Sequence, residues 1–388
     1  MSSSTPPPPQ ATPAPEIRKG PSILIIGAVP PPYVGPYLAM QRLLASEPFK
    51  KNLRVHFLDT SDHRETDNIG QLDWGNITLG LQHAAKCLLI LLTRWPRCVY
   101  LGISQGTWGY LRDLTFILPA VLLGRRIVIH LRGSEFDTFY RQMPGPLRLL
   151  TKLVFRRVDL CIVLGETLRR VMSELLDPDR IRVIPNGIDV RPFDDYPRRP
   201  AASGGGKRIL FLSHLMRRKG IFEALEAFAL VLKRHPDARL TMAGGWQNRA
   251  DEDQFMERLK ALGIQGSVSF TGVVHGNTKF ETFASHDIFF FPPVEPEGLP
   301  WVILEAMSSR LPVVSTSQGA IAEVVRDGTT GFVCKPVPAD LAARLCQLIE
   351  QPELAAKMGQ EGHVRVSRHY SEDTYQKAVS EVLKGALA

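Results

Sequence analysis

Cysteine is scarce in this 388-residue chain: Cys87, Cys98, Cys161, Cys334 and Cys346 are an odd number, scattered, with no pair at metal-ligand spacing. That argues against a disulfide scaffold or a cysteine zinc site and reads as buried thiols in a reducing compartment. Long apolar runs are missing too. The longest, Cys87 to Thr93, is bounded by Lys86 and Arg94 and falls far short of the roughly twenty residues of a membrane span. Residues 1–20 are rich in Ser, Thr and Pro and lack the apolar core of a signal peptide, so a disordered tail and a cytosolic protein are expected. No Gly-x-Gly-x-x-Gly follows Ile26 or Leu212, which argues against a dehydrogenase. With no nucleic-acid motif and no aromatic-basic platform, nucleic acid is not an expected partner. No internal repeat is visible.

What is present is an ordinary apolar content of 44%, enough for real cores, on a length that predicts two domains. A net charge of +8 points to anionic partners such as nucleotide diphosphates or acidic lipid surfaces. Ser22 to Gly27 is a continuous apolar run ending in Gly, as the first buried strand of a parallel sheet should be. Further strands are expected at 53–58, 98–102, 126–131, 160–164 and 181–185, with helical patterns between them. Tyr196 to Lys207 has no periodicity and reads as linker. A second alternating series begins at Arg208 and continues at 239–243, 268–271, 288–292 and 313–315. Each series predicts a doubly wound α/β domain.

Between two of these strands lies Glu297-Gly298-Leu299-Pro300-Trp301-Val302-Ile303-Leu304-Glu305. Gly298 lets backbone approach a ligand, and Pro300 suits the first turn of a helix because its missing N–H would be unpaired there. The unpaired N–H groups and the dipole at a helix start, worth roughly half a positive charge, favour phosphate. One carboxylate before the helix and one inside it would then grip hydroxyls on either side of that phosphate. A nucleotide-sugar fits. Glu297 falls just beyond the carboxyl end of a strand, where open α/β sheets bind ligands.

These residues, with Leu311-Pro312-Val313-Val314, Gly319 to Val325, Asp327 to Phe332, Pro185 to Asp189 and Phe270-Thr271-Gly272, resemble the retaining GT-B glycosyltransferases of family 4. The likeness covers nearly everything after residue 20. It implies two Rossmann-like domains facing across a cleft: an acceptor domain at 21–193, a linker at 194–207, a donor domain at 208–371, and a last helix at 372–388 that crosses back onto the first domain. It also implies residue roles: Glu305 on the ribose, the Gly298 and Leu299 backbone with Lys219 on the diphosphate, and Glu297 on the transferred sugar.

The chain departs from that pattern in places. Relatives carry two adjacent glycines where this chain has Val34-Gly35, so Gly35 is either a phosphate or acceptor contact or part of a Pro-rich turn. Where an Arg is usual stands His214, and Arg217 or Arg218 is either the replacement charge or a solvated basic turn. A cation about 4 Å from a phosphate oxygen would gain roughly 4 kcal/mol at an effective dielectric near 20. Relatives have a His-Gly pair where this chain has Arg132-Gly133, with His130 two residues upstream. Strand alternation puts His130 and Arg132 on one side, so either is a candidate to reach the cleft, with Glu135 able to pair with Arg132. Gly145 to Arg157 is either an ordinary domain helix or a basic amphipathic surface for an anionic membrane. Asp177-Pro178-Asp179 and Asp251-Glu252-Asp253 read as capping or turn residues, and no metal or other cofactor is expected.

The resemblance therefore implies transfer of a sugar from a nucleotide-diphosphate donor, such as a UDP- or GDP-sugar, to a sugar, glycan or lipid-linked acceptor. The setting is glycoconjugate synthesis in the cytoplasm, with peripheral contact at the inner membrane face. Two rivals stay open: an epimerase or hydrolase on the same scaffold, and a catalytically weak nucleotide-sugar-binding subunit.

Overall fold

The structure, a computed structural model, describes residues 21–31, 35–61, 74–197 and 207–387. The expected tail at 1–20, Pro32 to Val34 of the Pro-rich turn, and 198–206 of the linker lie outside them. Two six-stranded sheets, each wholly parallel, make up the molecule. The first holds β1 (Ser22–Gly27), β2 (Arg54–Asp59), β3 (Cys98–Gly102), β4 (Arg126–His130), β5 (Leu160–Val163) and β6 (Ile181–Val183) in the order β2-β1-β3-β4-β5-β6. The second holds β7 (Arg208–Leu212), β8 (Arg239–Ala243), β9 (Val268–Gly272), β10 (Ile288–Phe291), β11 (Val313–Thr316) and β12 (Gly331–Cys334) in the order β12-β11-β10-β7-β8-β9.

Parallel strands joined by helical crossovers are covered on both faces, which is why β1 and β10 are apolar throughout rather than alternating. Ile23, Leu24 and Ile25 are fully buried, as are Phe289 and Phe290. On one face of the first sheet, Leu24, Val99 and Ile127 share a core with Cys87 and Leu91 of the helix Trp74–Thr93, Tyr110 and Ile117 of Thr107–Leu122, and Phe155 of Gly145–Phe155. On the other face, Ile23, Ile25 and Val128 meet Met40 and Leu43 of the helix Gly35–Ala45 and Tyr375, Val379 and Leu383 of Glu372–Leu387. That last helix follows the second domain in the chain and packs on the first.

In each sheet the strand order reverses at the first strand, β1 standing between β2 and β3 and β7 between β8 and β10, and the crevice so formed at the carboxyl ends is where such sheets bind ligands. In the second sheet that point lies between β7 and β10. The loops leaving those strands carry His214 to Lys219 and Val294 to Pro300.

Candidate functional site

The two loops are stitched together by backbone. Gly220 has a left-handed φ of 77°, and a side chain there would put Cβ 1.8 Å from the Pro292 carbonyl oxygen, so only glycine fits. The N–H groups of Val294 and Glu295 donate to the Arg218 carbonyl at 3.1 and 3.4 Å. From β11, Ser315 Oγ donates to the Phe291 carbonyl at 2.5 Å and Thr316 Oγ1 to that of Pro293 at 2.6 Å. Ala320 N–H donates to the Gly298 carbonyl at 2.9 Å. Asn186 of the first domain donates from Nδ2 to the Leu299 carbonyl at 2.8 Å. Carbonyls along the loop are thus drawn back into protein. The N–H groups of Gly298 and Leu299 have no protein acceptor among the described residues. They precede the helix Trp301–Ser308, whose first turn adds further donors.

Both glutamates carry a lysine. Lys219 Nζ lies 2.5 Å from Glu297 Oε1, with side chains 19% and 10% exposed. Lys279, on the helix Gly276–Ala284, lies 2.5 Å from Glu305 Oε1. Glu305 Oε2 is buried without a hydrogen-bond partner. A buried, unpartnered carboxylate oxygen is costly, and a ligand hydroxyl would satisfy it. Pro300 sits one residue ahead of the helix, as its cap, rather than within the first turn. The helix Gly35–Ala45 faces the site from the first domain: a Cβ on Gly35 would come within 2.6 Å of the Trp301 indole.

Residues 192–365 match the family model for glycosyl transferases group 1. That match lies on the second domain and spans under half of the chain. Among curated relatives, the chain is 31% identical over 210 residues to phosphatidyl-myo-inositol mannosyltransferase of Mycolicibacterium smegmatis, covering 54% of this chain and 53% of that one. It is 27% identical over 235 residues to glycogen synthase of Mycobacterium tuberculosis, covering 60% and 55%. The chain thus spans about half the length of the curated relatives it matches. Among solved structures, sucrose-phosphate synthase of Thermosynechococcus elongatus superposes with a TM-score of 0.75 at 14% identity over 94% of this chain and 98% of that one. The Anabaena protein HepE in complex with UDP superposes with a TM-score of 0.72 at 18% identity over 94% and 100%. At these identities the likeness shows the fold, which is the expected GT-B pair of Rossmann-like domains.

Within this fold, several candidate residues stand elsewhere than expected. His130 is fully buried beneath the sheet, its Nδ1 2.7 Å from the Tyr100 hydroxyl, so it does not reach the cleft. Burial, reinforced by the Arg132 charge, holds it neutral, well below the usual histidine range. Arg132 is not free for an anionic acceptor: it donates to the Tyr375 hydroxyl at 3.1 Å and to Asn186 Oδ1 at 3.5 Å. Its backbone also packs on the loop that carries Glu297 and Gly298, since a Cβ on Gly298 would lie 2.2 Å from the Arg132 carbonyl oxygen.

Glu135 pairs with Arg218 rather than Arg132, at 3.1 Å across the cleft, and Arg218 also donates to the Pro296 carbonyl at 3.2 Å. Arg218 is therefore a cleft residue and not a solvated turn. Arg217 is the solvated one, held by Asp251 and Gln254 and stacked 4.3 Å over Phe222. Partial desolvation, then the Lys219 charge, lowers the pKa of His214, so it supplies no cation at neutral pH. A further tie spans the cleft at Glu323, whose carboxylate accepts the N–H groups of Glu166 and Thr167 at 2.9 and 2.8 Å. Lys279, Tyr375 and Glu323 were not legible as site residues, because their partners are 26, 243 and 156 positions away.

Proposed function

We propose that the protein transfers a sugar, with retention at the anomeric carbon, from a nucleotide-diphosphate donor held by the second domain to an acceptor held by the first. The observation that carries this is the pairing of unengaged Gly298 and Leu299 N–H groups with Lys219 on one side and the orphaned Glu305 carboxylate on the other. The N–H groups and Lys219 meet the diphosphate. Glu305 takes the ribose hydroxyls, and Glu297 takes the transferred sugar. As the bond from the anomeric carbon to phosphate breaks, negative charge gathers on the leaving diphosphate, and donors already in place stabilise it. Arg218 adds the charge that His214 lacks. With these groups serving the phosphates, the chemistry proceeds without a metal or other cofactor.

A UDP-sugar is the favoured donor, because the Anabaena neighbours were solved with UDP and with UDP-glucose. The acceptor is a glycan or a lipid-linked group, supported by the mannosyltransferase relative, and the protein works in the cytoplasm, peripheral to the membrane. No helix among the described residues is long and apolar enough to cross a membrane. Screening UDP-, GDP- and ADP-sugars by thermal shift tests the donor half: a ligand at 100 times its dissociation constant adds about 2.7 kcal/mol. Glu305→Ala should abolish that response; a variant that responds like the parent refutes the site. Appearance of sugar on an acceptor separates transfer from hydrolysis, epimerisation or simple binding.

A further inference from the structure

The helices Trp74–Thr93, Thr107–Leu122 and Gly145–Phe155 form one layer on the first sheet, and this layer is unusual in charge. The segments 74–97, 107–126 and 145–157 carry ten of the chain's 47 Lys and Arg but one of its 39 Asp and Glu, so the remainder of the chain is close to neutral. The single acid, Asp113, is 1% exposed and is spent on the Ser104 N–H and on Arg112. No carboxylate of the layer therefore faces solvent.

The same layer is unusually apolar outside. Of fifteen exposed large hydrophobic residues among those described, eleven lie on it. Ile77, Leu81, Leu88 and Leu92 follow one another at spacings of four, seven and four, a single stripe along a helix of 20 residues and about 30 Å. The stripe runs along the exposed side, about 100° around the helix from the buried His83, Cys87 and Leu91. Leu81 is 65% exposed and Leu92 52%. At the helix end, exposed Trp95 lies under the Arg125 guanidinium, 3.7 Å from the ring centroid. The neighbouring helices add Trp108 and Leu122, and Leu149 and Leu153 beside Arg148 and Lys152.

We infer that this layer docks the protein on an anionic lipid bilayer, its leucine stripe among the acyl chains and its Lys and Arg on the headgroup phosphates. A face with apolar stripe, indole rim and cations but no anions complements that surface. A second copy would bring two strongly positive faces together, which like charge opposes. The inference rests on the proposed transfer only for its purpose, holding the acceptor half against a lipid-borne acceptor.

The test uses the full chain with no donor, sedimented with vesicles of phosphatidylcholine alone or with phosphatidylglycerol added. Binding is expected to the second and not the first, and to weaken as salt rises beyond the ~10 Å screening length of about 0.1 M. Leu88→Asp with Leu92→Asp should lower the bound fraction at least ~10-fold while keeping the parent's melting temperature and its response to donor. Arg156→Glu with Arg157→Glu, both on the exposed end of the layer, should lower it independently. Glu305→Ala should bind vesicles like the parent, so loss of the donor site and loss of docking read out separately. The inference is overturned if the parent stays in the supernatant with both vesicles, or if the Leu88/Leu92 variant sediments as the parent does. It is equally overturned if sedimentation velocity shows a dimer that this variant converts to monomer.

Discussion

Asn186→Ala removes a side chain that joins the donor loop to the first domain's Arg132. Asn186 is 2% exposed, its Nδ2 lies 2.8 Å from the Leu299 carbonyl oxygen, and its Oδ1 lies 3.5 Å from Arg132. The first bond is short and buried. A typical net hydrogen bond is worth about 1 kcal/mol, but leaving the buried carbonyl unpaired costs about 1 to 3 kcal/mol, whereas the 3.5 Å contact is at the limit of geometry and adds little. The loss is therefore about 2 kcal/mol, held in a loop whose N–H groups are poised for phosphate. Part of it appears as lower stability and part as a looser loop. If half to two thirds falls on the donor-ready arrangement, the donor dissociation constant rises about tenfold, since about 1.4 kcal/mol is one decade. Calorimetric titration with a UDP-sugar measures that constant, and thermal melting without ligand measures the rest. A variant whose melting temperature drops while its donor affinity stays within about twofold of the parent refutes the reasoning and leaves Asn186 as a structural tie alone.

Lys219→Ala leaves Glu297 without its partner in a setting where both side chains are mostly buried. It should cost about 2 to 3 kcal/mol of stability and at least ~100-fold in transfer rate, and adding Glu297→Gln should restore most of the stability and none of the activity, as chemical denaturation and turnover would report. Gly319→Ala places a side chain at φ 58° with Cβ 1.6 Å from the Glu297 carbonyl oxygen. The donor loop must move, so the thermal response to donor should vanish; a parental response shows that the loop is more compliant than the contacts imply. His130 and His286 are held neutral below their ordinary value near 6.5, chiefly by burial. Each contributes stability that is whole above pH ~6.5 and falls by up to about 1.4 kcal/mol per pH unit below it, because the unfolded chain takes up the proton first. Melting temperatures should therefore decline from pH ~6.5 to ~5, and a flat profile over that window contradicts the assignment.

The architecture was legible because buried parallel strands leave a continuous apolar trace: Ser22 to Gly27 and Ile288 to Phe291 are strands where the reading put them. β12 was not expected: it starts at a glycine and only Phe332 and Val333 are large and apolar, too few to stand out as a run. The glutamate pair was legible because both lie in one short segment, whose strand, loop and helix set their spacing. The pairing of each with a lysine was not: Lys219 was expected on the diphosphate, but it stands 78 positions from Glu297, and only the placement of β7 beside β10 brings the two together. His130 misled for the converse reason. Alternation says which side of a strand a residue takes but not whether that side is roofed, and here Tyr100 and the last helix roof it.

The helix Glu372–Leu387 completes the first domain although it is made after the second. During synthesis the face formed by Ile23, Ile25 and Val128 is covered only in part, by Met40 and Leu43, until that helix emerges, while β7 to β12 precede it in the chain. The order of folding therefore runs against the order of the chain: the donor half matures first and the acceptor half last. The usual amino-to-carboxyl sequence of domain folding is reversed by sixteen residues. A nascent chain arrested before Glu372 would thus present a complete second domain beside a partly open apolar sheet, the kind of surface that chaperones hold.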